Sequence, residues 1–332
     1  MSKQLNTIKV LPLSPGTIRP VWSVMIPAYN CSKYLRKTIE SVLLQDRGIN
    51  IMEIWVVDDC SRENPERLVE ELGKGRINFY RQEHNVGQLN NFSTCLNLAK
   101  GKIIHLLHGD DFVHDGFYKK LEGPLLADDS IGAAFTGNDI VDQDNEVVLV
   151  SDLLAPGAGI LDNFLTVIGS KQVIQTPSIV VKREVYEKLG AFNKDLTWLE
   201  DWEMWIRIAC NYRFYYDPAM LASYRIHDTS NTTESLKTGR FVKDVRECIG
   251  VYSGYLKLPE KEKKVMINSA RQHFLLYARN QSRQRLSVLI LIRGFPLVYD
   301  FASFFFVTKE ILKISVKAII AKTNLFRKEK SR

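Results

Sequence analysis

Three acidic groups stand out by residue type and spacing: Asp58-Asp59 in "IWVVDDCS", Asp110-Asp111 in "HLLHGDDFV", and Glu200, Asp201 and Glu203 in "WLEDWEMW". The first two close apolar runs. Neighbouring carboxylates repel, so such a pair is cheap only in water, against a cation or beside hydrogen-bond donors. A carboxylate at a strand end can bond a nucleobase imide or a ribose hydroxyl, and another can ligate a hard divalent cation. The plainer reading of either pair alone is a solvated strand end with an Asx-type turn. In the third group, acids could simply complement a helix dipole. Chemistry would instead make one of them a base for an acceptor hydroxyl, with Trp198 and Trp202 as platforms for sugar rings. His227, two residues after Arg225 in "YRIH", is either a metal or diphosphate contact or a surface histidine.

The elements that must position these groups alternate. "VWSVMIPAY" reads as a buried strand, followed by a helix from Ser32, its expected N-cap, with Leu35, Ile39, Val42 and Leu43 at helical spacing. "IMEIWVVDDCS", "RINFYRQ" and "IIHLLHGDD" are further strands, separated by helices over "PERLVEELGKG" and "NNFSTCLNLAKGK". Such alternation implies a mainly parallel sheet with helices on both faces, and ligands outside the carboxyl ends of its strands. Both aspartate pairs fall on that rim, so they are expected to face one cleft. Later come a hairpin turning at Asp144-Asn145, a strand and helix ending at Gly190, a helix over "LEDWEMWIRIA", and a strand ending at His227. Beyond residue 233 the pattern is helical.

The 332 residues carry a net charge of +7, unevenly placed. Residues 260–332 hold 16 Lys+Arg against 5 Asp+Glu, and the rest holds 29 against 33. A mildly acidic core with a basic tail argues against a nucleic-acid partner. The stretch 288–332 is apolar but interrupted by Arg293, Asp300, Lys309, Lys313 and Lys317. It falls short of the roughly 18 residues a spanning helix needs and reads as an amphipathic basic helix on a membrane surface. The alternative is a helix packed on the catalytic domain or on a second copy in a homo-oligomer. Five scattered cysteines suggest reduced thiols and a cytoplasmic setting. Residues 1–20 lack a signal-peptide core and are expected to be a flexible leader.

"SVMIPAYNCSKYLRKTIESVLLQ", "IWVVDDCS", "HNVGQLNNFSTCLNLAKGKIIHLLHGDD", "LEDWEMWIRIA" and "YRIH", in this order, resemble the family 2 inverting glycosyltransferases. The resemblance implies a GT-A fold over 21–232, a Rossmann-like α/β sheet, followed by a helical extension over 233–287. It implies a nucleotide-sugar donor, a UDP-sugar first, a glycan or lipid-linked acceptor, and Mn²⁺ or Mg²⁺ as cofactor. Pro27, Tyr29 and Asn30 match the loop that packs on the base, and Asp58, with Asp59 beside it, the carboxylate that reads it. Asp110 and Asp111 match the metal and sugar-nucleotide carboxylates, His227 a histidine completing the metal site, and Asp201, next to Glu200, the catalytic base. The family's acidic motif commonly begins with an aspartate where this chain has His108. An Arg-Asn pair common in the family is replaced by Phe92-Ser93. No QxxRW motif of processive synthases occurs, which implies one sugar per encounter, in surface-polysaccharide or lipid-linked glycan synthesis at the inner membrane face. Two rivals are a nucleotidyltransferase, which would need a glycine- and lysine-rich first loop, and a non-catalytic sugar-nucleotide-binding protein. GxGxxG, GK[ST] and GxSxG motifs are absent.

Overall fold

The computed structural model describes residues 5–228, 230–284, 292 and 307–314. In chain order the elements are β1 (Trp22–Ala28), α1 (Ser32–Leu43), β2 (Met52–Asp58), α2 (Pro65–Gly73), β3 (Asn78–Arg81), α3 (Gln88–Leu98), β4 (Ile103–Leu106) and β5 (Phe112–Val113). They continue with α4 (Phe117–Ala127), β6 (Ile131–Val141), β7 (Val147–Val150), β8 (Gly159–Ile160), α5 (Phe164–Ser170), β9 (Ile179–Lys182), α6 (Arg183–Leu189) and α7 (Glu200–Ala209). The long strand β10 (Arg213–Arg225) precedes α8 (Asn231–Thr238), α9 (Arg240–Tyr255) and α10 (Glu260–Gln284).

The strands form one sheet in the order β3-β2-β1-β4-β9-β6-β10-β5, with β7 on β6 and β8 on β10. The first four are mutually parallel. β9 then runs antiparallel between β4 and β6, which turns a purely parallel arrangement into a mixed one. Every residue of β1 is buried, as a central strand covered on both faces must be. Its period of two sends Val24 and Ile26 to one face and Met25 to the other. The first face takes Leu35, Ile39 and Val42 of α1, Val69 of α2 and Leu121 of α4. The second takes Phe92 and Leu96 of α3, Val185 of α6 and Trp202 and Trp205 of α7. Each such large apolar side chain contributes about 1.5–3 kcal/mol through burial.

Three expectations are revised. Residues 6–10 are not loose: Ile8 exchanges backbone hydrogen bonds with Phe192 and Ala191 at 2.9 and 2.8 Å and is fully buried. The boundary at 232/233 is not a break in packing, because Phe241, Tyr252 and Phe274 share the core of Trp202. Ser32 does not cap α1; it is the first helical residue, and its N–H donates to Glu63. Most of the basic tail, 288–332, lies outside the described residues, and no described helix is long and apolar enough to cross a membrane.

Candidate active site

The loop after β4 is built around Gly109. A Cβ there would lie 2.7 Å from Cys31 Sγ and 3.2 Å from the Pro27 carbonyl oxygen, so only glycine lets the loop pass this close to β1. The Gly109 N–H donates to that carbonyl at 3.1 Å. Thr38 on α1 clasps the other side, its hydroxyl donating to the carbonyls of Gly109 (3.1 Å) and Asp111 (2.6 Å). Backbone on both flanks thus fixes where Asp110 and Asp111 sit.

Their side chains differ sharply. Asp111 is 1% exposed; its Oδ1 accepts the Arg225 N–H at 2.8 Å, and its Oδ2 has no partner. Burial, then the charge of Asp110, pushes its carboxyl well above the usual carboxylate range. Asp110 Oδ2 lies 2.9 Å from His227 Nε2. Burial alone would raise the Asp110 carboxyl too, but that hydrogen bond and the nearby imidazoles outweigh it and lower it. Among the described residues, His108, Asp110 and Asp111 are the metal-ligand types brought together, with donor atoms mutually within 4.8 Å. An orphaned buried carboxylate oxygen beside a second carboxylate is what a divalent cation would satisfy, so the residues fit Mn²⁺ or Mg²⁺. His227, expected among the ligands, contacts Asp110 Oδ2 directly through Nε2, at the edge of this group.

Arg225 is also revised, from substrate contact to brace. It is buried, and its guanidinium donates to the carbonyls of Asp110 (2.8 Å) and Asp142 (2.7 Å) and to Asn145 Oδ1 (2.8 Å). It also lies 4.6 Å over the Tyr34 ring. With its fork committed in this way, it ties the acidic loop to the β6–β7 turn.

Asp58 and Asp59 do not open onto the cleft as expected. Asp58 is fully buried, accepting from Ser61 N–H and Oγ and pairing with Arg81 Nη1 at 2.9 Å. Asp59 accepts from the N–H groups of Val86 (2.8 Å) and Gly87 (3.0 Å) and from Asn85 Nδ2 (3.0 Å). Both carboxylates are spent on holding loops. Of the first-loop residues, Pro27 is buried within β1, whereas Tyr29 is 49% exposed. Asn30, exposed and in the left-handed region at φ 49°, accepts from Arg62 N–H and donates its own N–H to Ser61. Asparagine tolerates this conformation better than most residues, and the two bonds lock the β1 and β2 loops together.

The third group divides by helix face. Trp202 is fully buried against Tyr252 and Phe274, its Nε1 donating to the Ile168 carbonyl at 2.6 Å. Trp198 packs on Phe241, Phe274 and Tyr277. Neither is a sugar platform. Glu203 is buried in an ion pair with Arg207 at 3.0 Å. Asp201 remains partly open; its Oδ2 accepts from Gln172 Nε2 (3.1 Å) and Thr176 Oγ1 (3.4 Å), its Oδ1 from Trp202 N–H (2.6 Å). Gln172 and Thr176 carried no signal in the sequence. Burial raises Asp201 to about 6. It raises Glu200 to about 8, with help from the Asp201 charge. Glu200 is buried, its Oε1 accepting from Gln88 Nε2 at 2.7 Å and its Oε2 without a partner.

Glu200 is raised further than Asp201, so Asp201 is the first of the two to ionise as pH rises. A carboxyl whose folded value lies above its unfolded one contributes stability below the unfolded value and loses it as pH rises through the folded one. For Glu200 that window runs from about 4.5 to about 8. Glu200→Gln keeps an acceptor for Gln88 but cannot ionise. We expect it to raise stability at pH 9 by about 1–3 kcal/mol, with little change at pH 5, read from urea midpoints at the two pH values.

Helix α3 joins the two halves. Gln88 reaches Glu200, and one turn later Phe92 stacks on the His108 ring, 5.2 Å between centroids at 18°. Positions four apart share a helix face, so one face of α3 touches both the acidic loop and the start of α7.

The Glycosyl transferase family 2 model matches residues 23–190, half of the chain. The chain belongs to that family. It is a family 2 glycosyltransferase, and its fold is GT-A-like. Among curated relatives, a putative teichuronic acid biosynthesis glycosyltransferase of Bacillus subtilis, TuaG, is 29% identical over 193 residues, covering 54% of this chain and 75% of that one. Among solved structures, S. aureus TarS 1-349 in complex with UDP-GlcNAc superposes with TM-score 0.65 at 16% identity, over 84% of this chain and 81% of that one. The mannosyltransferase PcManGT of Pyrobaculum calidifontis, in complex with GDP-Man and Mn²⁺, gives TM-score 0.55 at 18% identity, over 96% and 90%.

Proposed function

We propose that this glycosyltransferase moves one sugar from a nucleotide-sugar donor, a UDP-sugar first, onto a hydroxyl of a glycan or lipid-linked acceptor, with inversion at the anomeric carbon. The observation that carries the reading is the arrangement at the start of α7: a partly open Asp201 whose carboxylate is held by Gln172, Thr176 and the Trp202 N–H, beside a Glu200 buried against Gln88. Burial raises both carboxyls, Glu200 further than Asp201, so Asp201 is the one of the pair suited to act as a base. Asp201 takes the proton of the acceptor hydroxyl as that oxygen attacks. Gln172 and Thr176 hold the carboxylate in place. Asp110 and Asp111 would hold Mn²⁺ or Mg²⁺, which when bound neutralises charge on the diphosphate leaving group. His227 and Arg225 keep that loop in shape. Of the first-loop residues, Tyr29 would pack on the base, a role its exposure supports.

The relative named for teichuronic acid synthesis supports a cell-surface polysaccharide or lipid-linked glycan as product. The basic, apolar pattern of 288–332 supports work at the cytoplasmic membrane face. One experiment tests the reading. Radiolabelled nucleotide sugars are offered with Mn²⁺ and with lipid-linked glycan acceptors in anionic vesicles, and the anomeric configuration of the product is read by NMR. An α-linked donor should give a β-linked product. An α-linked product, or failure of every donor, would refute it.

A further inference from the structure

The start of α7 is gripped by residues outside the stretch 23–190 that matches the family model. Asp244 of α9, 2% exposed, accepts from the Thr197 N–H at 3.0 Å, and Asn231 of α8 donates to the Thr197 carbonyl at 2.8 Å. Three residues on, Gln88 is the one side chain among the described residues that hydrogen-bonds the Glu200 carboxyl. These contacts join into a chain whose direction is fixed from one end. Arg240 can only donate, and its Nη2 lies 2.6 Å from Asn231 Oδ1. That makes the Asn231 oxygen an acceptor and leaves its Nδ2 to donate to Gln88 Oε1 at 3.3 Å. Gln88 is thereby oriented in the same sense, its Nε2 donating to Glu200 Oε1 at 2.7 Å. An isolated amide can turn either way; here a guanidinium at one end and a carboxyl at the other select the same orientation at both links, and aligned donors polarise one another. Gln88 also follows directly on Val86 and Gly87, whose N–H groups hold Asp59.

We propose that Gln88, Asn231 and Arg240 are positioning residues for the sugar transfer: together they set the Glu200 side chain, and with it the first turn of α7, from which the next residue, Asp201, meets the acceptor hydroxyl. The inference rests on the role proposed above for Asp201. Each of the three acts through Glu200 rather than on a substrate. Glu200 needs the hold because it is 4% exposed and its Oε2 has no partner. Of the charged groups facing it, Asp201 and Asp244 are acids and Arg240 is the base. Without the relay, a buried carboxyl is left among like charges with no side-chain donor. Such a group moves to find one, and Asp201, the next residue in the same helical turn, moves with it. The α8–α9 extension thereby takes part in the transfer while carrying none of the reacting groups.

Steady-state kinetics on the full chain, with a UDP-sugar, Mn²⁺ and lipid-linked glycan acceptors in anionic vesicles, test the relay. Gln88→Met and Arg240→Met should each lower kcat about tenfold, the effect of losing one such hydrogen bond, with KM for the UDP-sugar unchanged. Arg240→Lys, which still donates, should recover most of the loss. The acid limb of kcat/KM near pH 6 should persist in all three, since the base itself is intact. In a Glu200→Ala background there is no carboxyl for the relay to hold, so adding Arg240→Met should slow the reaction no further. A further tenfold loss in that background would overturn the proposal, because Arg240 would then act elsewhere. A raised KM with kcat unchanged would overturn it as well, making these residues part of donor binding. Wild-type kcat in Gln88→Met and Arg240→Met beside an inactive Asp201→Asn would sink the relay and leave the base standing. Should Asp201→Asn also turn over at the wild-type rate, the base falls and the relay with it.

Discussion

Asp201→Asn is expected to fold normally and lose about 10²–10⁴ of kcat, the usual worth of a positioned general base. Asparagine keeps an oxygen for the Gln172 and Thr176 donors but sets an amide NH2 against the Trp202 N–H that Oδ1 accepts, so donor binding should change little while thermal stability falls by about 1–2 kcal/mol. The pH profile separates a base from a merely structural residue. Burial lifts Asp201 to about 6, so wild-type kcat/KM should fall below that pH as the carboxylate takes up a proton. In Asp201→Asn the residual rate should lose this acid limb. Glu200→Gln should keep it, because burial raises Glu200 further and it is the first of the two to take up a proton as pH falls. Assays from pH 5 to 9 on the three proteins decide the matter; near-wild-type turnover in Asp201→Asn removes the residue from the chemistry.

The sheet was legible because its strands are short apolar runs ending in polar loops, and β1, β2 and β4 lie where those runs predict. Less legible was β9, whose antiparallel entry beside β4 depends on a chain path no local pattern encodes. Leader packing did leave a trace, since Ile8 and Val10 flank Lys9 in strand alternation. The acids illustrate the deeper limit. A carboxylate at a strand end can face a ligand or hold its own loop, and sequence distinguishes these only through the donors nearby. Ser61 lies three residues after Asp58, a visible sign of a turn closed by its own side chain. For Asp59 the donors come from 85–87, too distant in sequence to announce themselves. The same holds for Asp201, whose partners sit in the loop before β9. That loop is positioned by His105, fully buried and neutral because burial pulls it to about 3. Its Nε2 donates to the Pro177 carbonyl at 3.0 Å, leaving Nδ1 to accept from the Tyr118 hydroxyl at 3.1 Å. Trp202 misled for a different reason: an indole that could stack on a sugar fills a core equally well, and three tryptophans at positions 198, 202 and 205 repeat with helical spacing.

The second large effect concerns Asp111, where stability and activity should move in opposite directions. Oδ2 is a buried acceptor with no donor, one residue from a second carboxylate. Asp111→Asn retains an oxygen for the Arg225 N–H and removes the charge. In metal-free protein at pH 7.5 the variant should therefore be more stable than wild type by about 1–3 kcal/mol, seen as a melting point a few degrees higher. Added Mn²⁺ should reverse the ranking. A cation at 100 times its dissociation constant stabilises the folded state by about 2.7 kcal/mol, and only wild type should gain it. Metal-dependent turnover should fall at least about 10²-fold in the variant, since charge on the departing diphosphate is left uncompensated. Equal melting shifts with Mn²⁺ in both proteins would mean the ion binds elsewhere. A metal-free variant less stable than wild type would mean that Asp111 is satisfied without any ion. The pairing of a stabilised apo form with a silent enzyme is the signature of a side chain kept for its ligand rather than for the fold.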